Sequence, residues 1–439
     1  MGHLFSRNPK SPLLRAVSGG GVYLTDENGK QYIDASGGAA VSCLGHGDKD
    51  VIAAIKAQCD KIAFAHTGFF STDAAEELGD LLSAHSPGLD RVYLVSGGSE
   101  AVEAALKLAR QYFVEKGQPG RKHVIARRQS YHGNTLGALA AGGNLWRRQQ
   151  FAPLLIETSH ISPCYAYRDL HEGETEEAYG LRVANELETE IERLGPENVM
   201  AFIAEPVVGA TAGALPPVAG YFRRIREICD THGILLILDE VMCGMGRTGK
   251  LFACEHDGIK PDITAIAKGL GAGYQPIGAM MCTAEIFDTI VSGSGFFQHG
   301  HTYMGHPVAA AAALTVVRKL TSGGLVERAR KMGALLQAQL VDRIGQHPHI
   351  GDIRGRGMFL GLELVEDRQT KEPFAPDRLI APKIKKAAFE AGLICYPMQG
   401  TIDGQRGDHI LLAPPFILTE AEMEELIDKL DQAISAVLP

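Results

Sequence analysis

Several features are missing from this 439-residue chain, and each absence narrows the class of protein. The eight cysteines form no Cys-x-x-Cys pair and no metal-like spacing with histidine, so they predict reduced thiols and no metal centre. The basic residues are scattered and the formal net charge is −9, which argues against a nucleic-acid surface. No apolar run approaches the length of a membrane span, and no apolar signal segment opens the sequence. We therefore expect a cytoplasmic protein that binds neither nucleic acid nor membrane.

The composition that is present is typical of a globular protein with a substantial core. Hydrophobic residues make up 45% of the chain and charged residues 22%. The length favours two domains, and the sequence pattern changes after residue 324. We place an N-terminal arm and an Asn28-Gly29 hairpin, part of the small domain, at residues 1–50. A large domain follows at 51–324, and a smaller α/β C-terminal domain at 325–439.

Short apolar strands alternate with helices from about residue 70 onward. This alternation predicts an α/β fold with a mostly parallel central sheet flanked by helices. In such sheets ligands bind beyond the carboxyl ends of the strands, so the residues that follow each strand are the candidates for a site. The predicted strands are 91–95, 123–126, 200–204, 234–238, 263–267, 279–283 and, in the C-terminal domain, 355–365. The predicted helices are 74–85, 100–116, 183–193, 221–231, 307–321, 380–391 and 419–437.

Lys268 ends one of these apolar strands and is followed by glycines at 269, 271 and 273. Burying an ammonium group costs several kcal/mol or lowers its pKa. A desolvated lysine with a lowered pKa suits Schiff-base chemistry with an aldehyde. We interpret the glycines as clearance for a bound molecule and a partner subunit. This stretch alone leaves a second reading open, in which Lys268 simply faces water.

Four other strand ends carry groups that can do chemistry. Gly98 and Ser99 open a helix, where free N–H groups and the helix dipole favour an anion, although Ser99 could simply cap the helix. Tyr131 stands beside a glycine and offers an accessible ring face, or else lies at a core edge. Glu205 and Asp239 are carboxylates at the ends of apolar strands, so each needs a cationic partner, either a structural arginine or a protonated ring nitrogen of a ligand.

The segment Gly244-Met245-Gly246-Arg247-Thr248-Gly249 fits the G-x-G-x-x-G pattern of dinucleotide-binding oxidoreductases. No clear helix follows it, and no acidic residue ends a following strand at the expected offset. We therefore predict an irregular loop and keep an NAD(P)-linked oxidoreductase as an alternative. An anion cradle, an aromatic ring, a carboxylate and a strand-end lysine on successive strands better suit a phosphorylated pyridine aldehyde.

In these residues the sequence resembles the class III aminotransferases, of pyridoxal-phosphate fold type I. The resemblance covers nearly the whole chain. It is carried, in order, by Ser96-Gly-Gly-Ser-Glu-Ala101, Tyr131-His132-Gly133, Glu205-Pro206, the segment 239–249, Lys268-Gly269 and His301-Thr302-Tyr-Met-Gly-His-Pro307.

The resemblance implies pyridoxal 5'-phosphate as cofactor and a homodimer with shared active sites. In the roles that it implies, Lys268 is the Schiff-base lysine and proton carrier, and Asp239 pairs with the pyridinium. Gly98 and Ser99 bind the phosphate, and Thr302 reaches the phosphate of the neighbouring subunit. Tyr131 stacks on the ring, Val241 packs on its other face, and His132 belongs to the cofactor site. Glu205, also assigned to the cofactor site, resembles a residue that holds an active-site arginine in some relatives.

Two further positions bear on the substrate. Met242 stands where many family members have glutamine, which is similar to the amine– or ω-amino-acid–pyruvate branch. Arg406 resembles an arginine of that branch that binds the substrate carboxylate, although it could be a plain loop arginine. The resemblance thus implies a ping-pong transaminase that moves an amino group from an amine or ω-amino acid to a 2-oxo acid, with pyruvate expected. A racemase or aminomutase on the same scaffold is the alternative, and a non-catalytic regulatory domain is disfavoured.

Overall fold

The computed structural model describes residues 3–11 and 13–439, and these residues form three β-sheets with helices packed around them. The predicted α/β fold is confirmed. The strands are β1 (Ala16–Gly20), β2 (Tyr23–Asp26), β3 (Gln31–Asp34), β4 (Arg91–Val95), β5 (His123–Arg127), β6 (Ser159–Ile161), β7 (Val199–Ala204), β8 (Leu235–Asp239), β9 (Ile263–Ile266), β10 (Gly278–Cys282), β11 (Ile350–Arg356), β12 (Phe359–Leu364), β13 (Leu393–Ile394), β14 (Tyr396–Gln399) and β15 (Asp408–Leu412).

The α-helices include each of the predicted helices. They are α1 (Gly37–Ala40), α2 (Lys49–Lys61), α3 (Asp73–His85), α4 (Gly98–Glu115), α5 (Leu136–Ala141), α6 (Leu145–Arg148), α7 (Ala166–Asp169), α8 (Glu176–Leu194), α9 (Tyr221–His232), α10 (Ala284–Ser292), α11 (Pro307–Thr321), α12 (Leu325–Arg343), α13 (Ile380–Glu390) and α14 (Glu420–Ser435). Helix α8 begins seven residues before its predicted start, and α10, α12 and several short helices were not predicted. Short 3-10 helices lie at Gln149–Leu154, Pro196–Asn198, Ala253–His256, Lys268–Leu270 and Pro376–Arg378.

The large sheet has seven strands in the order β4-β10-β9-β8-β7-β5-β6. Within the described residues, β10 is antiparallel to both of its neighbours, and every other pair of adjacent strands is parallel. Because β4 pairs only with the reversed strand β10, it runs in the same direction as β5, β7, β8 and β9. The carboxyl ends of these five strands therefore meet at one edge of the sheet, where the candidate residues lie.

The central strands are apolar because both of their faces are covered. All six residues of β7 and all five of β8 are buried. Helix α4 buries an Ala- and Leu-rich face against the sheet, and α11 buries most of its alanines and valines in the same core. Each fully buried Leu or Ile side chain contributes about 1.5–3 kcal/mol, so this layer holds the site-bearing edge in place.

Two smaller sheets complete the fold. The first joins the N-terminal strands to the C-terminal part of the chain, because β13 pairs in parallel with β3 in the order β1-β2-β3-β13. The second is antiparallel, in the order β11-β12-β15-β14. The proposed domain boundaries at residues 50 and 324 stay predictions.

The single strand predicted at 355–365 is wrong in detail. The segment spans the end of β11, a turn and β12, and the two strands pair as an antiparallel hairpin. Gly357 lies in the turn with φ of 57°, and a Cβ atom there would lie 2.4 Å from the carbonyl carbon of Thr248. Only glycine fits this close approach and left-handed backbone, and the alternation of apolar residues continues through it unchanged.

A buried ion network links the second small sheet to the segment that follows β6. Glu363 of β12 accepts hydrogen bonds from Arg354 Nη1 at 2.5 Å, from Arg168 Nε at 2.5 Å and from the Tyr165 hydroxyl. Arg354 Nε also donates to the Gly213 carbonyl oxygen at 3.1 Å. Although burial raises the pKa of Glu363, the two arginines hold it below its ordinary value.

In the part of the chain that the structure describes, no single helix is long and apolar enough to cross a membrane. Helices α11 and α12 meet that test only as a pair, with a bend of 63° between them.

Candidate active site

A cavity of about 530 Å³ opens at the carboxyl edge of the large sheet. Residues that follow β4, β5, β8 and β9 form its walls, and the N-terminal part of the chain and strand β14 close it. Its lining includes Arg7, Ala39, Val41, Ser96, Gly97, Gly98, Ser99, Tyr131, His132, Gly133, Arg147, Asp239, Val241, Met242, Lys268, Gly273, Gln275 and Tyr396. The topology thus brings seven of the predicted site residues into one cavity.

Lys268 lies in the cavity on an unusual backbone. It opens a 3-10 turn directly after β9, and its φ of 46° is in the left-handed region. Such a conformation costs a residue with a side chain about 1–3 kcal/mol and is found mostly at functional sites. Burial lowers the pKa of the Lys268 amine to about 8, although Asp239 and Glu205 partly oppose that shift. Lys268 is half-buried and lines the cavity rather than the outer surface, so the solvent-facing reading does not hold.

Two of the glycines after Lys268 make room for this chain's own backbone and side chains. A Cβ atom at Gly271 would lie 2.5 Å from the Gln275 carbonyl oxygen, and one at Gly269 would lie 3.0 Å from Met245 Cβ. Gly273 has φ of 84° and lines the cavity. Our interpretation of the glycines as clearance for a ligand therefore fits Gly273 only.

Asp239 and His132 form a buried pair at the base of the cavity. His132 Nδ1 lies 2.8 Å from Asp239 Oδ2, and the Val241 N–H donates to Asp239 Oδ1 at 3.0 Å. Both side chains are almost fully buried, and His132 Nε2 has no partner among the described residues. The two hydrogen bonds fix the orientation of the carboxylate, so Asp239 presents a directed negative charge to the cavity.

The start of α4 forms an open anion cradle. The N-cap residue Gly97 makes no side-chain capping bond, and the Ser99 hydroxyl accepts from the Asn134 N–H at 3.0 Å. The alternative that Ser99 caps the helix therefore does not hold. A Cβ atom at Gly98 would lie 2.8 Å from Val241 Cγ1, so the close packing requires glycine there. The unpaired N–H groups of this first turn can bind a phosphate.

Tyr131 is half-buried and presents its ring to the cavity. Its neighbour Gly133 has φ of 139°, and a Cβ atom there would lie 2.6 Å from Ser99 Oγ. The glycine thus lets this loop pack on the start of α4. Burial raises the pKa of the Tyr131 hydroxyl, so it stays neutral and the residue can act as an aromatic face.

Glu205 supports this loop from below. It is buried, and its carboxylate accepts from the Tyr131 N–H at 3.0 Å and from the Gly209 N–H at 2.8 Å. Burial raises its pKa. Within the described residues no arginine forms an ion pair with this carboxylate, whereas Arg127 donates to the Glu205 backbone carbonyl. Glu205 does not line the cavity, so its contact with the site runs through Tyr131.

Besides Glu205, two predicted site residues lie outside the cavity formed by this chain. Thr302 is exposed, on a loop before α11. Arg406 is 58% exposed, and its Nε donates to Asp403 Oδ2 at 2.7 Å. The predicted loop at 244–249 consists of turns, in which Arg247 is buried and donates to the Met358 carbonyl at 3.1 Å.

Sequence reasoning missed the arginines of the cavity, Arg7 and Arg147. Arg147 belongs to the four-residue helix α6, which Asn144 caps through a hydrogen bond from the Arg147 N–H. A helix this short leaves no apolar periodicity to detect. Asn144, as a helix-capping residue, is a local sequence signal for this helix, but it does not indicate the direction of the Arg147 side chain.

Separate parts of the cavity match the separate groups of a phosphorylated pyridine aldehyde. The start of α4 provides the anion cradle, Asp239 a fixed carboxylate, Tyr131 a ring face and Lys268 an amine of lowered pKa. Val241, which packs against Gly98, lies between the cradle and the carboxylate along the wall. Together these residues provide a complementary group for each reactive part of such a molecule.

Comparisons with known proteins agree with this reading. The profile described as aminotransferase class-III matches residues 4–434. An uncharacterized aminotransferase of Schizosaccharomyces pombe is 46% identical over 442 residues, covering 99% of this chain and 95% of that protein. A taurine–pyruvate aminotransferase of Bilophila wadsworthia is 36% identical over 426 residues, covering 96% and 92%. The solved structure of an omega transaminase from Pseudomonas jessenii in complex with PMP has a TM-score of 0.92 at 32% identity, covering 99% and 96%.

Proposed function

Because the chain belongs to the class III aminotransferases, which use pyridoxal 5'-phosphate, we propose that it moves an amino group from an amine or ω-amino acid to pyruvate. The observation that carries the proposal is the position of Lys268 in one cavity with the start of α4, Tyr131 and Asp239. The taurine–pyruvate aminotransferase and the omega transaminase among the similar proteins support this choice of donor and acceptor.

The cofactor would be held by residues of this chain that lie at three different strand ends. The N–H groups at Gly98 and Ser99 would bind its phosphate, Asp239 its ring nitrogen, and Tyr131 and Val241 the faces of the ring. When bound, the cofactor supplies an aldehyde that takes up an amino group and a ring that withdraws electrons from the neighbouring carbon.

Lys268 serves as the proton carrier of the reaction. Burial lowers the pKa of its amine to about 8, so about a tenth of the amine is uncharged at pH 7. The Nζ atom can therefore take a proton from the substrate carbon and return one during each half-reaction. An ordinary exposed lysine would be almost entirely protonated and could only donate.

Asp239 keeps a negative charge at the base of the cavity. Its hydrogen bonds to His132 and to the Val241 N–H hold the carboxylate in one orientation. A fixed carboxylate stabilises a proton on an opposing ring nitrogen more than a solvated one does, because no reorientation is needed. His132 is thus a positioning residue for Asp239.

We also propose a homodimer in which the partner's Thr302 completes each site. Thr302 is exposed in the single chain, and large apolar side chains are exposed nearby, including Phe69, Phe70 and Tyr303. Exposed apolar patches of this kind mark protein–protein contacts. Light scattering of the purified protein at micromolar concentration should give the mass of a dimer, and a fully active monomer would contradict the shared site.

The proposed function is tested by Lys268→Ala. The variant should lose alanine formation from β-alanine and pyruvate by at least about 10³-fold, and it should lose the visible absorbance of the covalently held cofactor. Glu240→Gln is the matched control, because Glu240 is buried beside Asp239 but bonds the Ala253 and Cys254 N–H groups and lies outside the cavity. Retained transamination in Lys268→Ala would reject the assignment.

Dependence on a 2-oxo acid separates this proposal from a racemase or aminomutase. A transaminase turns over repeatedly only when both donor and acceptor are present, since they bind in turn to the same cavity. Repeated conversion of a single amino acid without an acceptor would instead favour the alternative.

A further inference from the structure

The wall of the active-site cavity carries more cationic than anionic side chains. Arg7, Arg147 and Lys268 contribute cationic side chains, whereas the one carboxylate in the described lining is Asp239. Asp239 is bonded to His132 at the base of the cavity. The two arginines are therefore not neutralised by the carboxylate of the site. A wall of this charge attracts anionic ligands.

Arg147 is fixed in place without being paired. Its guanidinium carbon lies 4.5 Å from the centre of the Tyr131 ring, a distance at which a cation and an aromatic face attract each other. Among the described residues no carboxylate forms an ion pair with Arg147, and its Nε is buried with no hydrogen-bond partner. Unpaired donors of a guanidinium in a cavity wall are available to a carboxylate of a ligand.

Arg406 presents the opposite picture. Its guanidinium is bonded to Asp403, its side chain is more than half exposed, and it does not line the cavity. Before it could bind a substrate, it would have to break its ion pair and move. Arg147 needs neither step.

We propose that Arg147 binds the carboxylate of the substrates, and so directs the enzyme toward amino and oxo acids rather than uncharged amines. This inference rests on the proposed transaminase function, because it assigns the substrate class of the same site. The planar guanidinium suits the assignment, since it binds a carboxylate through two parallel hydrogen bonds. The ring of Tyr131, 4.5 Å from the guanidinium carbon, restricts the movement of this side chain.

Pairs of substrates that differ only in the carboxylate provide the kinetic test. β-Alanine and propylamine carry the same amine, with a methyl group in place of the carboxylate in propylamine. Pyruvate and acetone form the equivalent pair of acceptors, again with a methyl group in place of the carboxylate. Arg147→Met should raise the KM for β-alanine and for pyruvate by about 10- to 100-fold and leave the KM for propylamine within about twofold. Arg147→Lys should restore part of the loss.

A binding measurement gives a readout that does not depend on turnover. Propionate has the carboxylate but no group to transfer, so its affinity for the holoenzyme can be measured by calorimetry. Arg147→Met should weaken propionate binding by a similar factor. Were the holoenzyme to bind propionate through Arg147 and yet fail to transaminate, the proposed function would fall while this inference would stand.

Two other variants complete the experiment. Arg148→Met removes the next arginine of α6, which contacts His160 rather than the cavity, and it should leave the preference for carboxylates unchanged. Equal losses on β-alanine and propylamine in Arg147→Met would show that Arg147 only supports Tyr131, and would overturn the proposal. A carboxylate-specific loss in Arg406→Met, without one in Arg147→Met, would overturn it as well.

Discussion

At the scale of single residues, Lys268 combines two energetically unfavourable features, which the packing of the surrounding fold keeps in place. Its amine is buried, and its backbone is left-handed with φ of 46°. A lysine with a buried amine and a left-handed backbone lowers the free energy of unfolding of the apoprotein. The protein keeps this lysine because the reaction needs its amine. The chemistry of the site is thus partly built from destabilising local structure.

We expect Lys268→Met to stabilise the apoprotein at neutral pH by roughly 1–3 kcal/mol, because it removes an ammonium that is costly to bury. The folded pKa of about 8 lies below the ordinary 10.5. The penalty is therefore complete below pH 8 and disappears as the pH rises to 10.5. Urea unfolding of both apoproteins at pH 7 and pH 10 measures the difference. A Met variant that is less stable at pH 7 would contradict it.

Residues of the site could be predicted from the sequence as far as they follow strands. Lys268 and Asp239 could be picked out because apolar runs end at them, and Tyr131 because it lies in the loop after β5; parallel strands carry such ends to one edge. Arg147 was missed by sequence reasoning, and the role of Arg406 at the substrate carboxylate stays a prediction. The direction of a loop or short-helix side chain depends on contacts made by distant parts of the chain, here Tyr131 for one and Asp403 for the other.

At the scale of elements, the turn after β9 has little tolerance for added atoms. Gly271 closes the one-turn helix that begins at Lys268, because its N–H donates to the Lys268 carbonyl at 3.1 Å. A Cβ atom there would lie 2.5 Å from the Gln275 carbonyl oxygen, and a rigid backbone cannot easily move away. The position of the lysine is thus set by glycines packed on neighbouring backbone.

Gly271→Ala should therefore lower the free energy of unfolding by about 1–3 kcal/mol and should also reduce turnover, since the turn carries Lys268. Gly20→Ala is the control. Gly20 lies on the exposed strand β1 with nothing within 4 Å of an added Cβ, so its effect should stay within about 0.5 kcal/mol. Equal effects of the two substitutions in thermal unfolding would refute the packing argument.

The elements themselves were largely predictable, with exceptions that have physical causes. Six of the seven strands of the large sheet came within a few residues of their predicted bounds, because burial of both faces leaves a clear apolar run. The three-residue strand β6 and the long helix α12 were missed. The two-residue strand β13 is too short to have a period. The hairpin β11–β12 was read as one strand, since Gly357 interrupts the backbone direction without interrupting the apolar pattern. The reversed direction of β10 has no local signature.

At the scale of the whole molecule, the network around Glu363 joins strands β11 and β12 to the segment after β6. Glu363 is fully buried and is bonded by Arg354 and Arg168. Burial opposes its charge, but the arginines overcome this and lower its pKa. Removing the charge would leave Arg168 without its carboxylate partner and Arg354 with Asp352 as its remaining counterion.

Glu363→Gln should reduce the free energy of unfolding by about 3–5 kcal/mol near neutral pH. A carboxylate whose folded pKa lies below its ordinary 4.5 stabilises the fold above that value and loses this contribution as the pH falls through the folded pKa. The difference in free energy of unfolding between the wild type and Glu363→Gln should therefore shrink below pH 4.5. Glu366→Gln, in an exposed pair with Arg378, should cost less than about 1 kcal/mol. A difference in free energy of unfolding that stays constant with pH would argue against an ionic origin of this stabilisation.

The reversed strand β10 has a consequence for the order in which the protein is made. Strand β4, whose end leads into the phosphate cradle, pairs only with β10, and Val95 lies opposite Gly278. A growing polypeptide therefore cannot fix that cradle to the sheet until more than half of its length has left the ribosome. Such distant pairing slows folding. The vitamin-derived cofactor would then find its phosphate cradle in place only after strand β10 has been made, which ties loading of the enzyme to the later part of its synthesis.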